Sequence, residues 1–280
     1  MSSTVFVMIL GAALVHASWN GLVKIEEDRV ALLKMMSLTQ LACSVCLIPF
    51  VAFPAHESWP YLCVSAVLGT VYMLFLNWAY RIGDLSHVYP FARGTAPLII
   101  AIISVAYLGE QIDHIGQIAV VLIAFGVASL ALTRGAAGLR EPRPVILSII
   151  IIASSFVAAY TITDALGARS AGSPHSYYAW NILIYATLAT ASFHILHGRV
   201  ALGRTLRNGT ISGVMSFASS WVTIWAFTLA PVAMVSALRE TSTVFAVIIG
   251  VVFLHEWLSL TRLASTMTTL IGTTMLKLSH

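Results

Sequence analysis

Between Val232 and Leu254 the chain runs through about 23 mostly apolar residues, enough for one helical crossing of a hydrocarbon core. Two turns inside that run stands Arg239-Glu240-Thr241-Ser242. An arginine at such a depth costs roughly 2.5–3.5 kcal/mol on insertion scales, so it must turn toward protein or water. A polar site inside a membrane helix is the default implication. A second run, Val88 to Leu108, repeats the arrangement, with Arg93 followed 17 residues later by Glu110 as Arg239 is followed 17 later by Glu256. Sixteen residues beyond each glutamate stands a glycine, Gly126 and Gly272. Trp78-Ala79-Tyr80 answers Trp225-Ala226-Phe227 once one residue of slack is allowed between them. The chain therefore reads as an internal duplication.

Composition agrees with a membrane setting. The chain has 59% hydrophobic residues, 9% charged residues and a mean hydropathy of +0.90. Soluble domains carry about 25% charged residues, so a polytopic membrane protein is expected. The pI near 9.1 does not point to nucleic acid, because the basic residues stand singly between apolar runs rather than on one face. Cys43, Cys46 and Cys63 all fall in apolar runs. Cys43 and Cys46 form a CxxC with no second pair, so neither a disulfide framework nor a metal site follows, and no cofactor is expected.

Ten apolar runs have the length of a crossing: roughly 4–24, 31–53, 59–80, 88–108, 113–132, 144–165, 176–197, 210–229, 232–254 and 258–277. The first lacks a charged leader and continues into Trp19-Asn20, which marks it as a helix rather than a signal peptide. The expected fold is all-α and integral to the membrane, with one five-helix repeat over 1–132, a linker over 133–143 and a second repeat over 144–280. An odd number of crossings per repeat inverts the second copy relative to the first, the architecture of alternating access. Leaving out Arg93 and Arg239, eleven lysines and arginines stand around the loops that follow the odd-numbered runs and two, Arg169 and Lys277, lie on the other side. The positive-inside rule then places both termini outside the cytoplasm.

Polar residues within the spans mark candidate site positions. His16, Trp19 and Asn20 share one face of the first helix, and Tyr160, Thr163 and Asp164 share one on the sixth, at spacings of three and four. Matching polar faces suggest a lined cavity, against interhelical hydrogen bonding in a closed bundle. Asp164 stands near the expected end of its span, within reach of the interface. Trp78, Tyr89, Trp180, Tyr185, Trp221 and Trp225 supply amphipathic rings, which either belt the membrane surfaces or stack on a ligand. Trp19, Trp221 and Trp225 suit a cavity best. Arg93, Arg239, Glu240 and Ser242 complete the set. Glu110 and Glu256 fall where helices give way to tight turns and suit capping.

The duplication, the ten spans, and the segments Tyr89-Pro90-Phe91-Ala92-Arg93-Gly94-Thr95 through Glu110 and Ala237-Leu238-Arg239-Glu240-Thr241-Ser242 through Glu256 resemble the EamA branch of the drug/metabolite transporter superfamily. The resemblance implies ten helices in a bacterial inner membrane, of which the first, third, fourth, sixth, eighth and ninth surround a central cavity, and export of small metabolites including amino acids, aromatic ones among them. Small four-helix relatives use a glutamate in the first helix for proton coupling, and the first span here has none. The expected function is export of small amphiphilic metabolites, amino acids foremost, by alternating access and facilitated diffusion, from a monomer whose partners are substrate and bilayer. A guanidinium suits a carboxylate and Glu240 an ammonium. Glu240 is expected to be the sole well-buried carboxylate, held ionised by Arg239. A proton-coupled antiporter is the alternative. A lipid-modifying enzyme would need an acidic metal cluster or a His and Asp pair at the headgroups, which the sequence lacks. A channel would lack exchange kinetics.

Overall fold

A computed structural model describes residues 1–82, 85–132, 143–198, 203, 205–252, 257 and 259–279. Eleven α-helices carry these residues: α1 (Ser3–Ile25), α2 (Arg29–Leu47), α3 (Trp59–Ile82), α4 (Leu85–Ala106), α5 (His114–Leu132), α6 (Arg143–Ser170), α7 (Pro174–His197), α8 (Leu206–Phe227), α9 (Val232–Arg239), α10 (Ser242–Val252) and α11 (Leu260–Leu278). Most of the linker expected at 133–143, together with Glu256, lies outside the described residues.

Helix starts follow local chemistry. Ser2, Asp28, Ser173 and Ser259 each offer a side-chain oxygen to a backbone N–H three residues on, which satisfies one of the orphan donors of α1, α2, α7 and α11. Gly198 closes α7 at φ +67°, a left-handed angle that glycine adopts without strain.

Among the described residues, seven helical segments are long and apolar enough to cross a membrane: Ser3–Ile25, Arg29–Phe50, His56–Phe75, Ser148–Ser170, Pro174–His197, Leu206–Phe227 and Val232–Val252. The chain is a multi-pass membrane protein. Parts of α4 and α5, Arg93–Ala106 and His114–Ser129, form shorter apolar helices. The last expected span, α11, is rich in serine and threonine. Ser265, Thr266, Thr268, Thr269, Thr273 and Thr274 each donate a hydroxyl to the carbonyl four residues back, so these polar groups are satisfied within the helix itself.

The ninth expected span is not one helix. It breaks between α9 and α10, where Glu240, Thr241, Thr243 and Val244 donate their N–H groups to carbonyls three residues back instead of four. The run's one glycine, Gly250, stands ten residues beyond Glu240, and no glycine or proline at the break announces it. Its cause is side-chain competition for backbone groups: Thr241 Oγ1 donates to the Leu238 carbonyl at 2.7 Å and Thr243 Oγ1 to the Glu240 carbonyl at 2.8 Å. Each of these carbonyls also accepts the N–H of the same threonine, so the hydroxyl adds a second bond that favours the tightened turn.

Contacts between distant loops sort the helix ends into two layers. At one end Lys277 donates to Ser3 at 2.6 Å, Arg169 pairs with Glu110, Ala55 N donates to the Ala171 carbonyl, and Ser176 donates to the Ala52 carbonyl. At the other, Lys34 donates to the Gly198 carbonyl at 3.0 Å and Asn208 to Glu26 at 2.7 Å. Between these ends α1 packs on α8, α9 and α10, while α6 packs on α3 and α4. Helices α2 and α7 face each other, as do α5 and α11.

The α5–α11 seam is the tightest. A Cβ on Gly126 would lie 2.8 Å from Thr269 N and 3.0 Å from the Ser265 carbonyl; one on Gly272 would lie 2.9 Å from the Ala119 carbonyl and 3.0 Å from Ile123 N. The two contacts are reciprocal. As position falls from 126 to 119 on α5, its partner rises toward 272 on α11, so the two helices run antiparallel, and Ser129 bonded to Ser265 at 2.8 Å continues that register.

Candidate functional site

The break in the ninth span positions an interior ion pair. Glu240 stands eight residues after Val232 and Arg93 eight after Leu85, so at 1.5 Å per residue each lies about 12 Å along its helix, from opposite ends. They meet between α4 and the α9–α10 break. Arg93 Nε donates to Glu240 Oε2 at 3.0 Å and Arg93 Nη2 lies 2.9 Å from Oε1. Both side chains are buried, at 6% and 4% exposure, so the charges are compensated by a two-point fork rather than by water.

This geometry corrects two expectations. The partner that holds Glu240 is Arg93, not the adjacent Arg239, because consecutive helical residues point in different directions whereas α4 presents its guanidinium across the seam. With both oxygens engaged, Glu240 does not offer an ammonium site. Arg239 is half-buried and, among the described residues, has neither an ion-pair partner nor a side-chain hydrogen bond.

Position 94 accounts for that asymmetry. Arg93 and Arg239 stand 146 residues apart, and the residue in the first half that answers Glu240 is Gly94. A Cβ there would come within 2.6 Å of Ala128 N and 2.8 Å of the Ala124 carbonyl, so the close approach of α5 excludes any side chain. One carboxylate serves two arginines, and it serves Arg93.

Around Arg239 lie other ionisable and polar groups. His16, Asp164 and Tyr178 are all within its electrostatic range. His16 is 7% exposed and meets Trp19 edge to face, with centroids 4.8 Å apart. Neither His16 Nε2 nor Trp19 Nε1 has a hydrogen-bond partner, which is uncommon for buried polar atoms. Asn20 turns away, donating to the His16 carbonyl at 2.9 Å.

Asp164 is a second interior carboxyl, contrary to the expectation that Glu240 stood alone. Its helix runs on to Ser170, so Asp164 sits within α6 instead of at the surface. Ser65 of α3 and Tyr177 of α7 both donate to its Oδ1, the latter at 3.1 Å. Helix period alone could have flagged it, since it shares a face with Tyr160, but its nearness to the span's estimated end hid its depth. Tyr160 itself packs against Tyr72 with centroids 5.9 Å apart, and Thr163 donates to the Ala159 carbonyl at 2.7 Å.

The rings divide into two groups. Trp221 and Trp225 line an apolar cavity of roughly 200 Å³ with Met8, His175 and Val222, and Trp221 Nε1 donates to His175 Nδ1 at 2.9 Å. Trp78 is 51% exposed on α3 and stacks on Phe75, which takes it away from the interior group. Trp180 joins Phe53 and Trp59 near the loop between α2 and α3, the place of an interface ring. Tyr89 lies on α4, its side chain outside the described ones. Ser242 is buried at the start of α10.

Glu110 does act as an anchor, as its position before a tight turn suggested. It pairs with Arg169 at 2.6 Å and accepts the Val232 N–H at 2.8 Å, the first of α9. Arg169 also donates to the Phe227 carbonyl at 2.9 Å and the Ala230 carbonyl at 3.3 Å. Together these tie the α8–α9 turn to α6 and to the loop after α4.

The fold and the interior charges define a multi-pass helical membrane protein with a polar centre. Residues 3–132 match the family model of the EamA-like transporter family. A protein of known crystal structure is similar over 99% of this chain and 98% of its own, with a TM-score of 0.78 at 16% identity, a likeness of fold alone. No curated protein sequence matches.

Proposed function

We propose that the chain is a transporter of the drug/metabolite type that exports small amphiphilic metabolites, amino acids foremost, by alternating access between two inverted five-helix repeats. Arg239 carries this reading: an arginine with no partner among the described residues inside a membrane bundle is costly unless an anion or water meets it during function. The family match over 3–132 supports it, and covers the same stretch as the first repeat expected from sequence.

The repeat draws support from α5 and α11. Gly126 and Gly272, Ala119 and Ser265, and Ile123 and Thr269 are each 146 residues apart, the separation of Arg93 and Arg239, and they meet reciprocally across an antiparallel seam. A two-fold axis across that seam lies in the membrane plane, the relation of inverted repeats. The bundle end that holds Ser3 and Lys277 faces away from the cytoplasm, on the distribution of lysine and arginine. Alkaline phosphatase fused at the C-terminus should be active; bright fluorescence from a cytoplasm-dependent reporter there would reverse the orientation.

The deciding test is counterflow. Purified protein in liposomes loaded with unlabelled amino acids should take up labelled substrate transiently above its equilibrium level, which a channel does not do. Asp164 favours one second reading, proton-coupled antiport, because it adds an interior carboxyl to His16. Facilitated diffusion requires that an imposed pH difference drive no accumulation; accumulation would establish coupling.

A further inference from the structure

Three polar groups near the α9–α10 break have no partner among the described residues, and all three can donate hydrogen bonds. They are the Arg239 guanidinium, Trp19 Nε1 and, on a histidine 93% buried, His16 Nε2. Helix α1, which carries two of them, packs directly on α9 and α10. A guanidinium beside an indole N–H and an imidazole is a donor-rich set that suits a carboxylate. Symmetry points the same way: the first half's arginine receives Glu240, whereas the position that answers Glu240 in the first half is Gly94, which offers Arg239 no carboxylate.

Asp164 is the complementary pole. Both hydrogen bonds it receives, from Ser65 and Tyr177, go to Oδ1. Its Oδ2 accepts none among the described residues and is not among the buried unpartnered atoms, so it faces accessible space. Tyr177 holds the carboxyl in place because its ring packs closely on Gly167, where a Cβ would sit 2.5 Å from ring atom Cζ. Asp164 and Arg239 form no ion pair with each other. Two opposite charges held apart in this way match the reverse arrangement of charges on a single zwitterion.

We propose that Arg239, with His16 and Trp19, forms the carboxylate pole and Asp164 the ammonium pole of one site that selects zwitterionic amino acids over the corresponding acids and amines. This rests on the transporter reading of the same interior. Glu240 is excluded as the ammonium pole because Arg93 occupies both of its oxygens.

Binding is measured on purified protein in nanodiscs by tryptophan fluorescence and calorimetry, with two matched sets of probes. One is L-phenylalanine, 3-phenylpropionate and 2-phenylethylamine; the other is L-leucine, 4-methylpentanoate and 3-methylbutylamine. At least one amino acid should bind tenfold or more tightly than both of its fragments. Asp164→Asn should weaken the amino acid at least tenfold and leave the acid unchanged; Arg239→Gln should weaken amino acid and acid alike and leave the amine unchanged. A thermal melt of each variant separates loss of fold from loss of binding, and Gly11→Ala, with nothing within 4 Å of its Cβ, should retain the preference for the amino acid. Equal losses for acid and amino acid in Asp164→Asn, or no binding of any probe, would overturn the two-pole site. Counterflow of an amino acid with unchanged affinity in Asp164→Asn would overturn it while sustaining the transporter reading. Selective binding with no counterflow would sustain the site and sink transport.

Discussion

Replacing Glu240 by glutamine leaves the Arg93 guanidinium in a bundle interior with its compensating charge gone. Both side chains are buried, at 6% and 4% exposure, and the pair is joined at 3.0 and 2.9 Å, so water cannot take the carboxylate's place without opening α4 from the α9–α10 break. Breaking a buried pair in this way costs about 3–5 kcal/mol. Arg93→Met should cost a similar amount, since it strands the carboxylate. If the two losses added, the double variant Arg93→Met, Glu240→Leu would be down by about 6–10 kcal/mol, which would unfold most proteins. It should instead be close to wild type or about 1–4 kcal/mol more stable, because replacing both charges by packed apolar groups removes the desolvation cost with the attraction. Reversible unfolding in mixed micelles gives the four stabilities of the cycle. The same variants also separate structure from binding: the double variant should keep wild-type affinity for substrate, because the proposed site uses Arg239 and not Glu240. Additive losses in the cycle, or wild-type stability of Glu240→Gln, would refute the assignment of the pair as a structural tie.

Along the α5–α11 seam, Gly272→Ala should be strongly destabilising because its Cβ meets the Ala119 carbonyl at 2.9 Å and Ile123 N at 3.0 Å, both backbone atoms that cannot swing aside. Gly11→Ala, with nothing within 4 Å, should be neutral or slightly stabilising, and a thermal melt of the two side by side checks the contrast. Glu110→Ala removes the acceptor for the Val232 N–H and should cost about 0.5–2 kcal/mol through lost capping alone, with faster amide exchange confined to the start of α9. Arg239→Lys keeps the charge but loses the planar fork; stability should hold while substrate affinity falls by about 1–3 kcal/mol, read by titration of the folded protein.

Much of the architecture was legible from residue order alone, because a bilayer permits so few solutions. A stretch of apolar residues about 20 long must become a helix to satisfy its backbone, so counting apolar runs located the helices to within a few residues. Arg93 and Arg239 stood out for the same reason: charge inside such a run cannot be left to lipid. The pairing of those charges was not legible. Adjacency in sequence suggested Arg239 for Glu240, yet neighbouring residues on a helix diverge by about 100°, and only the packing of α4 against the α9–α10 break brought Arg93 to the carboxylate. The break was hidden too, since it comes from threonine hydroxyls and from the burial of Glu240 rather than from glycine or proline. Asp164 was undervalued because its depth depends on α6 extending to Ser170 and on Ser65 and Tyr177 arriving from two other helices. Periodicity says which residues share a face; which face meets which, and therefore which charge is left without a partner, is decided by close approaches such as Gly94 on Ala124 and Ala128, a packing property that no single helix contains.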